Sequence, residues 1–278
     1  METNGNKKTP LKFSLIIPAF NEAARLPLFL EQTRAYLKEK YPGSHEIIVV
    51  NDGSRDETQT VAEVMIGKPN VLHFPENRGK GAAVRAGMLA ACGEWRFFAD
   101  ADGATPIAEE VRLVHAIKAG NDIAIGSRAA AGGIHKWEWW GKGMAADSST
   151  PNPAVWHVRP HRHFVGRVFS TMVKRFTGLD YADTQCGFKL FRAEAAHAIF
   201  SATKVDRFAF DVELLYLAKR FGYRVAEVPV NWHEVAGSKV SLVRDSFSML
   251  QEILKLQNLH SATKKTSVAE SARGKRLG

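Results

Sequence analysis

The sequence predicts an α/β fold, a doubly wound and mainly parallel sheet with helices on both of its faces. From Phe13 onward, short apolar runs typical of strands alternate with longer stretches in which apolar residues recur at helical spacing. Strands that alternate with helices pair in parallel, because each helix returns the chain across the sheet. The 278 residues and 45% hydrophobic content suit a soluble protein with one sizeable core.

The apolar runs predict seven strands, and the amphipathic stretches predict the helices between them. The strands are expected at residues 13–17, 46–50, 71–74, 95–99, 123–125, 188–191 and 224–230. The helices are expected at residues 26–37, 61–65, 83–89, 111–117, 165–176 and 210–221. We therefore expect a single domain over residues 12–240.

Four segments depart from this alternation. Residues 1–11 are polar and expected to be disordered, and residues 129–163 are rich in glycine, tryptophan, proline and histidine, which favours a long loop or lid. Residues 261–278 have the composition of a disordered basic tail. Residues 241–260 predict an amphipathic helix, whose single apolar stripe favours a core or dimer contact over a membrane contact. That stripe consists of Val243, Phe247, Leu250, Ile253 and Leu254.

Composition and charge narrow the classes of function. The net charge of +9 favours anionic partners, such as nucleic acid, an acidic membrane leaflet or phosphorylated substrates. No apolar stretch approaches the roughly 20 residues that a membrane-spanning helix needs, so we expect a soluble or peripheral protein. Cys92 and Cys186 lie far apart without metal-ligand spacing, which indicates reduced thiols and a cytoplasmic location.

Polar residues collect where four of the predicted strands end. The segments are Pro18–Glu22, Asn51–Ser54, Asn77–Gly81 and Asp100–Asp102. In a doubly wound sheet, ligands bind in the crevice at the carboxyl ends of the strands. The four segments are therefore expected to face one crevice.

Asp100 and Asp102 predict a divalent metal site. Side chains alternate along an extended segment, so the two carboxylates point the same way and can share one Mg²⁺ or Mn²⁺. The phosphate oxygens of a ligand would complete the shell of the metal, which indicates a site for a nucleoside diphosphate. The alternative is a simple turn at Asp102 that Asp100 caps.

Two further segments are suited to a nucleotide. Asp52 follows an apolar run and is placed to accept a hydrogen bond from a base N–H, such as that of uracil. Arg78 and Lys80 lie with two glycines at a predicted helix start, where free backbone N–H groups favour anions. This loop has neither the G-x-G-x-x-G nor the G-K-S/T pattern, so hydride-transfer and ATPase functions lose their main support.

Together, these separated motifs resemble family 2 glycosyltransferases of the GT-A fold, and within them the polyprenol-phosphate sugar transferases. The resemblance covers roughly residues 13–239. It rests on the motifs PAFNE, VVNDGS, NRGKGAAVRAG and FADADGAT, followed by IGSR, DTQCGFKLF, FAFDVELLY and VNWHEVAGSKV. The last three motifs indicate the branch that transfers glucose.

The resemblance implies a nucleotide-sugar-binding role for nine residues and a metal role for two residues, of which Asp100 belongs to both sets. The nucleotide-sugar site would comprise Pro18, Asn21, Glu22, Asp52, Arg78, Lys80, Asp100, Gln185 and Lys239. Asp100 and Asp102 would hold Mg²⁺ or Mn²⁺. Lys239 is expected near the donor phosphates.

Four residues are candidates for catalysis, Asp102, Arg128, Asp183 and Arg167. The first three lie in motifs that carry the resemblance, whereas Arg167 is a candidate because the acceptor phosphate needs a cation. The two arginines would place an acceptor phosphate. Asp183 would orient the acceptor or the sugar hydroxyls, or serve as base for an alcohol acceptor. Further matching positions are Lys189, Asp211, Glu213, Trp232, Glu234 and Ser238, of which Asp211 and Glu213 would hold sugar hydroxyls or cap their helix.

The implied activity is an inverting transfer of glucose from UDP-glucose to a polyprenyl (dolichyl-type) phosphate. Such an acceptor needs no strong general base, because the second pKa of a phosphate monoester is about 6. Two alternatives keep the fold, a GDP-mannose-dependent polyprenyl-phosphate mannosyltransferase and a family 2 enzyme with a soluble acceptor. A non-catalytic nucleotide-sugar binding module is a third alternative.

The expected partners follow from this activity. They are a UDP-sugar donor and a lipid-linked phosphate acceptor, reached from the cytoplasm with a peripheral contact to the cytoplasmic face of a membrane. Nucleic acid is not expected, because Asp100 and Asp102 would repel its phosphates without a metal. The oligomeric state stays open.

Overall fold

The structure is a computed structural model that describes residues 11–128, 171–233, 235 and 242–261, with side chains in the last segment from residue 249 onward. Its seven strands are β1 (Phe13–Ala19), β2 (His45–Asp52), β3 (Val71–Phe74), β4 (Trp95–Ala99), β5 (Ile123–Ser127), β6 (Phe188–Arg192) and β7 (Val225–Pro229). All seven strands expected from the sequence are present. β1, β2 and β5 each extend two residues beyond the expected end, at the carboxyl edge of the sheet where the crevice is expected.

Seven α-helices with defined bounds flank the sheet in the part of the chain that the structure describes. They are α1 (Leu26–Lys40), α2 (Thr58–Ile66), α3 (Lys80–Ala90), α4 (Glu110–Lys118), α5 (Ala193–Ala202), α6 (Phe210–Phe221) and α7 (Leu242–Leu259). Residues 171–177 are also helical. The sequence analysis missed α5, whose signal is the helical spacing of Ala195, Ala196, Ile199 and Phe200, all buried.

The strand order in the sheet is β3-β2-β1-β4-β6-β5-β7. Six strands are mutually parallel and β6 alone runs antiparallel, to β4 on one side and to β5 on the other. The expected mainly parallel, doubly wound sheet is therefore confirmed. The antiparallel β6 places the segment that precedes it beside Asp100, whose N–H donates to the carbonyl of Gly187 at 3.0 Å.

The core lies on both faces of the sheet, because successive strand residues point to opposite sides. Ile16 and Phe98 pack with α3, α5, α6 and α7 on one face, and Leu15 and Phe97 pack with α1, α2 and α4 on the other. α7 contributes Met249, Ile253 and Leu256 to the first face. Its core stripe is thus shifted from the expected one, since Leu254 is 49% exposed.

No helix among the described residues is long and apolar enough to cross a bilayer.

Candidate active site

The carboxyl ends of β1, β2 and β4 lie at one edge of the sheet, because these three strands are parallel neighbours. The loop before α3 and the segment before β6 reach the same edge through hydrogen bonds to Asp52 and Asp100. Two of the expected site residues, Arg167 and Lys239, lie outside the described residues, as do Glu234, Ser238 and the expected lid at residues 129–163. Every other expected site residue is described.

Asp100 and Asp102 follow β4 in a turn that leaves their carboxylates few backbone partners. Asp102 Oδ1 accepts the N–H of Ala104 at 3.0 Å. Asp100 Oδ1 lies 2.6 Å from Lys80 Nζ. A Cβ at position 187 would lie 2.1 Å from Asp100 Oδ2, so only glycine lets this carboxylate rest against the chain before β6. The packing therefore holds Asp100 in one place at the edge of the crevice.

The neighbouring carboxylates of Asp100 and Asp102 favour a bound cation. Burial and the neighbouring Asp100 carboxylate raise the pKa of Asp102 above its ordinary value. Burial disfavours the ammonium of Lys80, but the carboxylates of Asp100, Asp211 and Asp102 outweigh this effect and raise the pKa of Lys80. A cation is thus already drawn to the carboxylate pair.

The residues fit a divalent cation that is shared with a ligand. Two carboxylate side chains of this type are suitable ligands for Mg²⁺ or Mn²⁺. Among the described residues no group of three or more His, Cys, Asp or Glu side chains could hold a metal. The protein atoms described would therefore fill part of a coordination shell, and the oxygens of a bound diphosphate are suited to fill the rest.

Asp52 ends β2 and holds the loop before α3. Its Oδ1 accepts the N–H of Arg78 at 2.8 Å, and its Oδ2 accepts the N–H of Gly79 at 2.9 Å and the side-chain amide of Asn77 at 2.8 Å. Burial raises the pKa of Asp52, although these backbone donors oppose the rise. The carboxylate thus shapes the start of α3, and its contact with uracil stays a prediction.

Asn21 and Glu22 shape the loop after β1. Asn21 has a left-handed φ of 53°. Its side-chain oxygen accepts the N–H of Arg55 in the loop after β2 at 2.8 Å. Glu22 Oε1 lies 2.5 Å from Arg25 Nη2, and Pro18 lies within β1. The structure brings these residues to the same edge as Asp52, while their contacts with a nucleotide stay predictions.

Arg128 and Asp183 form a bidentate ion pair at the other side of the crevice. Arg128 Nε donates to Asp183 Oδ2 at 2.7 Å and Nη2 donates to Oδ1 at 2.9 Å. Burial alone would raise the pKa of Asp183, but the guanidinium of Arg128 holds it below its ordinary value. The charge of Asp183 in turn raises the pKa of Arg128. Two residues 55 positions apart thus act as one charged unit.

Residues of β7 and of the segment that follows it contact this ion pair. Glu227 of β7 accepts the N–H groups of Ala182 at 3.0 Å and of Asp183 at 2.8 Å. The ring of Trp232 has its centroid 5.9 Å from the guanidinium carbon of Arg128. The sequence analysis missed Glu227, whose signal is an isolated acid within a half-buried strand.

Three residues of the matching motifs make contacts within the protein. Lys189 is fully buried and donates to Asp211 Oδ1 at 2.5 Å. Glu213 is also fully buried, and it accepts backbone N–H groups at residues 204 and 205. The expectation that Glu213 holds a sugar hydroxyl or caps α6 is therefore wrong, because both of its carboxylate oxygens accept hydrogen bonds from the loop that precedes α6. Gln185 Nε2 lies 2.8 Å from Met249 Sδ of α7, and its contact with the nucleotide sugar stays a prediction.

The chain is similar to curated proteins of one activity. The dolichyl-phosphate β-glucosyltransferase of Drosophila melanogaster is 40% identical over 246 residues, which cover 83% of this chain and 70% of that protein. The protein of that name from Saccharomyces cerevisiae is 35% identical over 87% of this chain and 72% of its own length. The human protein of that name is 37% identical over 82% of this chain and 69% of its own length.

Solved structures with low sequence identity share the fold. The glucosyl-3-phosphoglycerate synthase of Mycobacterium tuberculosis, solved in complex with UDP, superposes with a TM-score of 0.60 at 17% identity, over 90% of this chain and 79% of that one. The family model "Glycosyl transferase family 2" matches residues 14–200. The chain therefore belongs to glycosyl transferase family 2, has the GT-A fold and is a glycosyltransferase.

Proposed function

We propose that this enzyme transfers glucose from UDP-glucose to a polyprenyl phosphate of the dolichyl type, with inversion at the anomeric carbon. The names of the relatives that are 35% to 40% identical support glucose as the sugar and a lipid phosphate as the acceptor. The observation in this chain that carries the proposal is the contact of Lys80 with Asp100, beside Asp102, at the start of α3. We name this cluster of Lys80, Asp100 and Asp102 the donor end, and the pair of Arg128 and Asp183 the acceptor end.

The donor end suits the diphosphate of a nucleotide sugar. Asp100 and Asp102 would hold Mg²⁺ or Mn²⁺, which supplies positive charge against the negative charge that develops on departing UDP. Lys80 is the first residue of α3, where the positive end of the helix dipole also favours an anion. The Lys80 ammonium, now 2.6 Å from Asp100 Oδ1, would be close enough to this carboxylate to contact a diphosphate bound there as well. Lys80 would then stabilise the leaving group together with the cation that the two carboxylates would hold.

The acceptor end suits a phosphate better than an alcohol. Both oxygens of Asp183 accept hydrogen bonds from Arg128, and the pKa of this carboxylate is lowered, so Asp183 is a weak base. A phosphate monoester brings its own ionised oxygen, because its second pKa is about 6. That oxygen forms the new bond to the anomeric carbon as the bond to UDP breaks, and UDP leaves with the electron pair. Arg128 would orient the acceptor phosphate for this attack.

We place the enzyme at the cytoplasmic face of a membrane as a peripheral protein. A polyprenyl phosphate keeps its chain in the bilayer and its phosphate at the surface. The net charge of +9 favours approach to an anionic leaflet.

A transfer assay tests the proposal. Radiolabelled UDP-glucose, with GDP-mannose in parallel, is supplied with polyprenyl phosphate in detergent and Mn²⁺, and label in the organic phase is counted. We expect transfer from UDP-glucose, its loss with a chelator, and a decrease of at least about 10²-fold in Asp102→Asn, which removes one electrostatic group at the reacting centre. The control is Asp180→Asn, because Asp180 forms an exposed ion pair with Lys174 at 2.8 Å.

Three outcomes would contradict parts of the proposal. Transfer from GDP-mannose in preference would replace the donor. Cleavage of UDP-glucose without label in the lipid would remove the lipid acceptor and point to soluble alcohols or phosphates. Full activity of Asp102→Asn would remove this carboxylate from the mechanism.

A further inference from the structure

The carboxyl-terminal helix α7 is fastened to the segment that precedes α6, at residues 203–209. His260 is fully buried, and its Nε2–H donates to Glu213 Oε1 at 2.6 Å. The same carboxylate accepts the N–H of Lys204 at 2.9 Å through Oε1 and the N–H of Val205 at 3.0 Å through Oε2. One buried carboxylate therefore joins the end of α7 to the backbone of this segment.

Two further contacts join the same pair of elements. Lys204 Nζ donates to the carbonyl of Leu259 at 2.8 Å, which also places a cation at the carboxyl end of α7, where the helix dipole favours it. Glu252 of α7 accepts the N–H of Ala209 and faces Arg207, while burial raises its pKa. The segment is thus held at both of its ends by α7.

The far side of this segment is packed directly against the loop that carries Lys80. The N–H of Ala82 donates to the carbonyl of Asp206 at 3.1 Å. A Cβ on Gly79 would lie 2.4 Å from the carbonyl oxygen of Asp206, and a Cβ on Gly81 would lie 2.6 Å from that of Val205. Backbone therefore meets backbone on both sides of Lys80, and no flexible side chain lies between them to absorb a shift.

From this continuous set of contacts we infer that His260 is a positioning residue for the donor end. It acts through Glu213 and residues 204–206 on the start of α3, and so on the distance from Lys80 to Asp100. The inference rests on the proposed function, since it assumes that the donor diphosphate binds at Lys80. The contact of His260 is with Glu213, and its proposed effect on Lys80 is indirect, so it is no catalytic residue.

The test compares three variants for binding of UDP with Mn²⁺ by calorimetry. His260→Ala removes the donor to Glu213 and leaves a buried cavity. His260→Gln keeps an N–H near the position of Nε2. Gln257→Ala is the control on the same helix, because Gln257 donates to the carbonyl of Phe176 at 2.8 Å and does not contact residues 203–209 through that bond.

We expect His260→Ala to bind UDP about fivefold more weakly, at the low end of couplings between separated sites, with unchanged stoichiometry. His260→Gln and Gln257→Ala should bind close to the wild-type affinity. A loss of folded protein behaves differently, since it lowers the stoichiometry and the apparent kcat but leaves the Kd and the donor KM unchanged. The KM for UDP-glucose in His260→Ala should therefore rise with the Kd.

Lys204→Met gives a second variant that does not disturb the core. Hydrogen exchange should increase at residues 79–83 and 203–206 in Lys204→Met and in His260→Ala, but stay unchanged at residues 13–19 of β1. An increase over all three segments, or an unchanged Kd for UDP in His260→Ala, would overturn the inference. Wild-type protein that binds no UDP would instead remove the proposed function, and the inference with it.

Discussion

At the donor end Asp102 lies beside a second carboxylate, Asp100, whereas at the acceptor end Asp183 lies against the guanidinium of Arg128. Both carboxylates are taken from water, yet the pKa of Asp102 is raised and that of Asp183 is lowered. The difference is that Arg128 is bound directly to Asp183, whereas Lys80 contacts Asp100 and not Asp102. In the proposed function the donor end would gain further positive charge with its ligand, whereas the acceptor carboxylate is already paired.

This contrast explains how neighbouring carboxylates differ in role. Asp102 has one backbone donor, from Ala104, and so keeps lone pairs for a ligand. Asp183 accepts two side-chain bonds and one backbone bond from Arg128. A carboxylate held in this way is suited to fix the arginine for an anionic acceptor rather than to take a proton.

The largest expected effect tests the geometry of the acceptor end. Arg128→Lys keeps the charge but loses the two parallel bonds to Asp183, so we expect kcat/KM for the acceptor to fall about 10²-fold, in the range seen when one oriented donor is removed. The KM for UDP-glucose should stay close to that of the wild type. Steady-state kinetics with each substrate varied in turn measures both.

Arg112→Lys is the matched control for this substitution. Arg112 Nε lies 2.9 Å from Glu109 Oε2, and this arginine–carboxylate pair is not one of the expected site residues. Equal losses in both variants would show that any arginine replacement weakens the fold and would end the comparison between the two ends.

The next largest expected effect is on stability, and it tests the ion pair of Asp183 with Arg128. Asp183→Asn leaves Arg128 without its anion, and we expect the free energy of unfolding to fall by about 2 kcal/mol, less than the about 3–5 kcal/mol of a fully buried pair. We expect this smaller loss because the Arg128 side chain is 38% exposed, so that solvent screens its interaction with Asp183. Urea denaturation at pH 7 measures the change.

The lowered pKa of Asp183 determines how the stability difference between wild type and Asp183→Asn depends on pH. Because the folded pKa of Asp183 is lowered, its stabilisation is complete above the ordinary pKa of about 3.9 and is lost as pH falls through the lower folded value. Wild type and Asp183→Asn should therefore differ by a constant amount from pH 7 to about pH 5 and converge only in stronger acid. A difference that shrinks near pH 6 would contradict the lowered pKa.

The smallest effect has the opposite sign. In the absence of metal, Asp102→Asn removes a buried charge beside Asp100, so we expect the Tm to rise by about 2 °C, as a gain of about 1 kcal/mol gives for a domain of this size. Thermal unfolding with a chelator present measures it. An unchanged or lower Tm would show that Lys80 and Arg25 already balance both carboxylates.

The sequence analysis is most successful at the donor end for a physical reason. Parallel neighbours such as β1, β2 and β4 end at the same edge, so polar residues directly after each strand must meet there. Lys80 at the start of α3 joins them because its loop follows β3 immediately. Local order along the chain is enough to group these residues.

The acceptor end depends on contacts that local order does not contain. Nothing in the apolar pattern of β6 shows that it runs antiparallel between β4 and β5, yet this placement brings Asp183, in the segment before β6, to Arg128, which directly follows β5. Glu227 and Asp183 lie 44 positions apart and meet only through the same arrangement. For Glu213 the motif alone is misleading, because its buried partners come from the preceding loop and from α7.

The sequence by itself determined the alternation of strands and helices, the family, and the carboxylates and cations of the donor end, because each depends on residues adjacent in the chain or on the strand that precedes them. Only the tertiary structure decided which charges are already paired. Asp102 and Asp183 are the same residue type, and their pKa values differ in direction because of what packs against them. The link from His260 to Lys80 is likewise tertiary, since buried backbone and one carboxylate connect residues 180 positions apart.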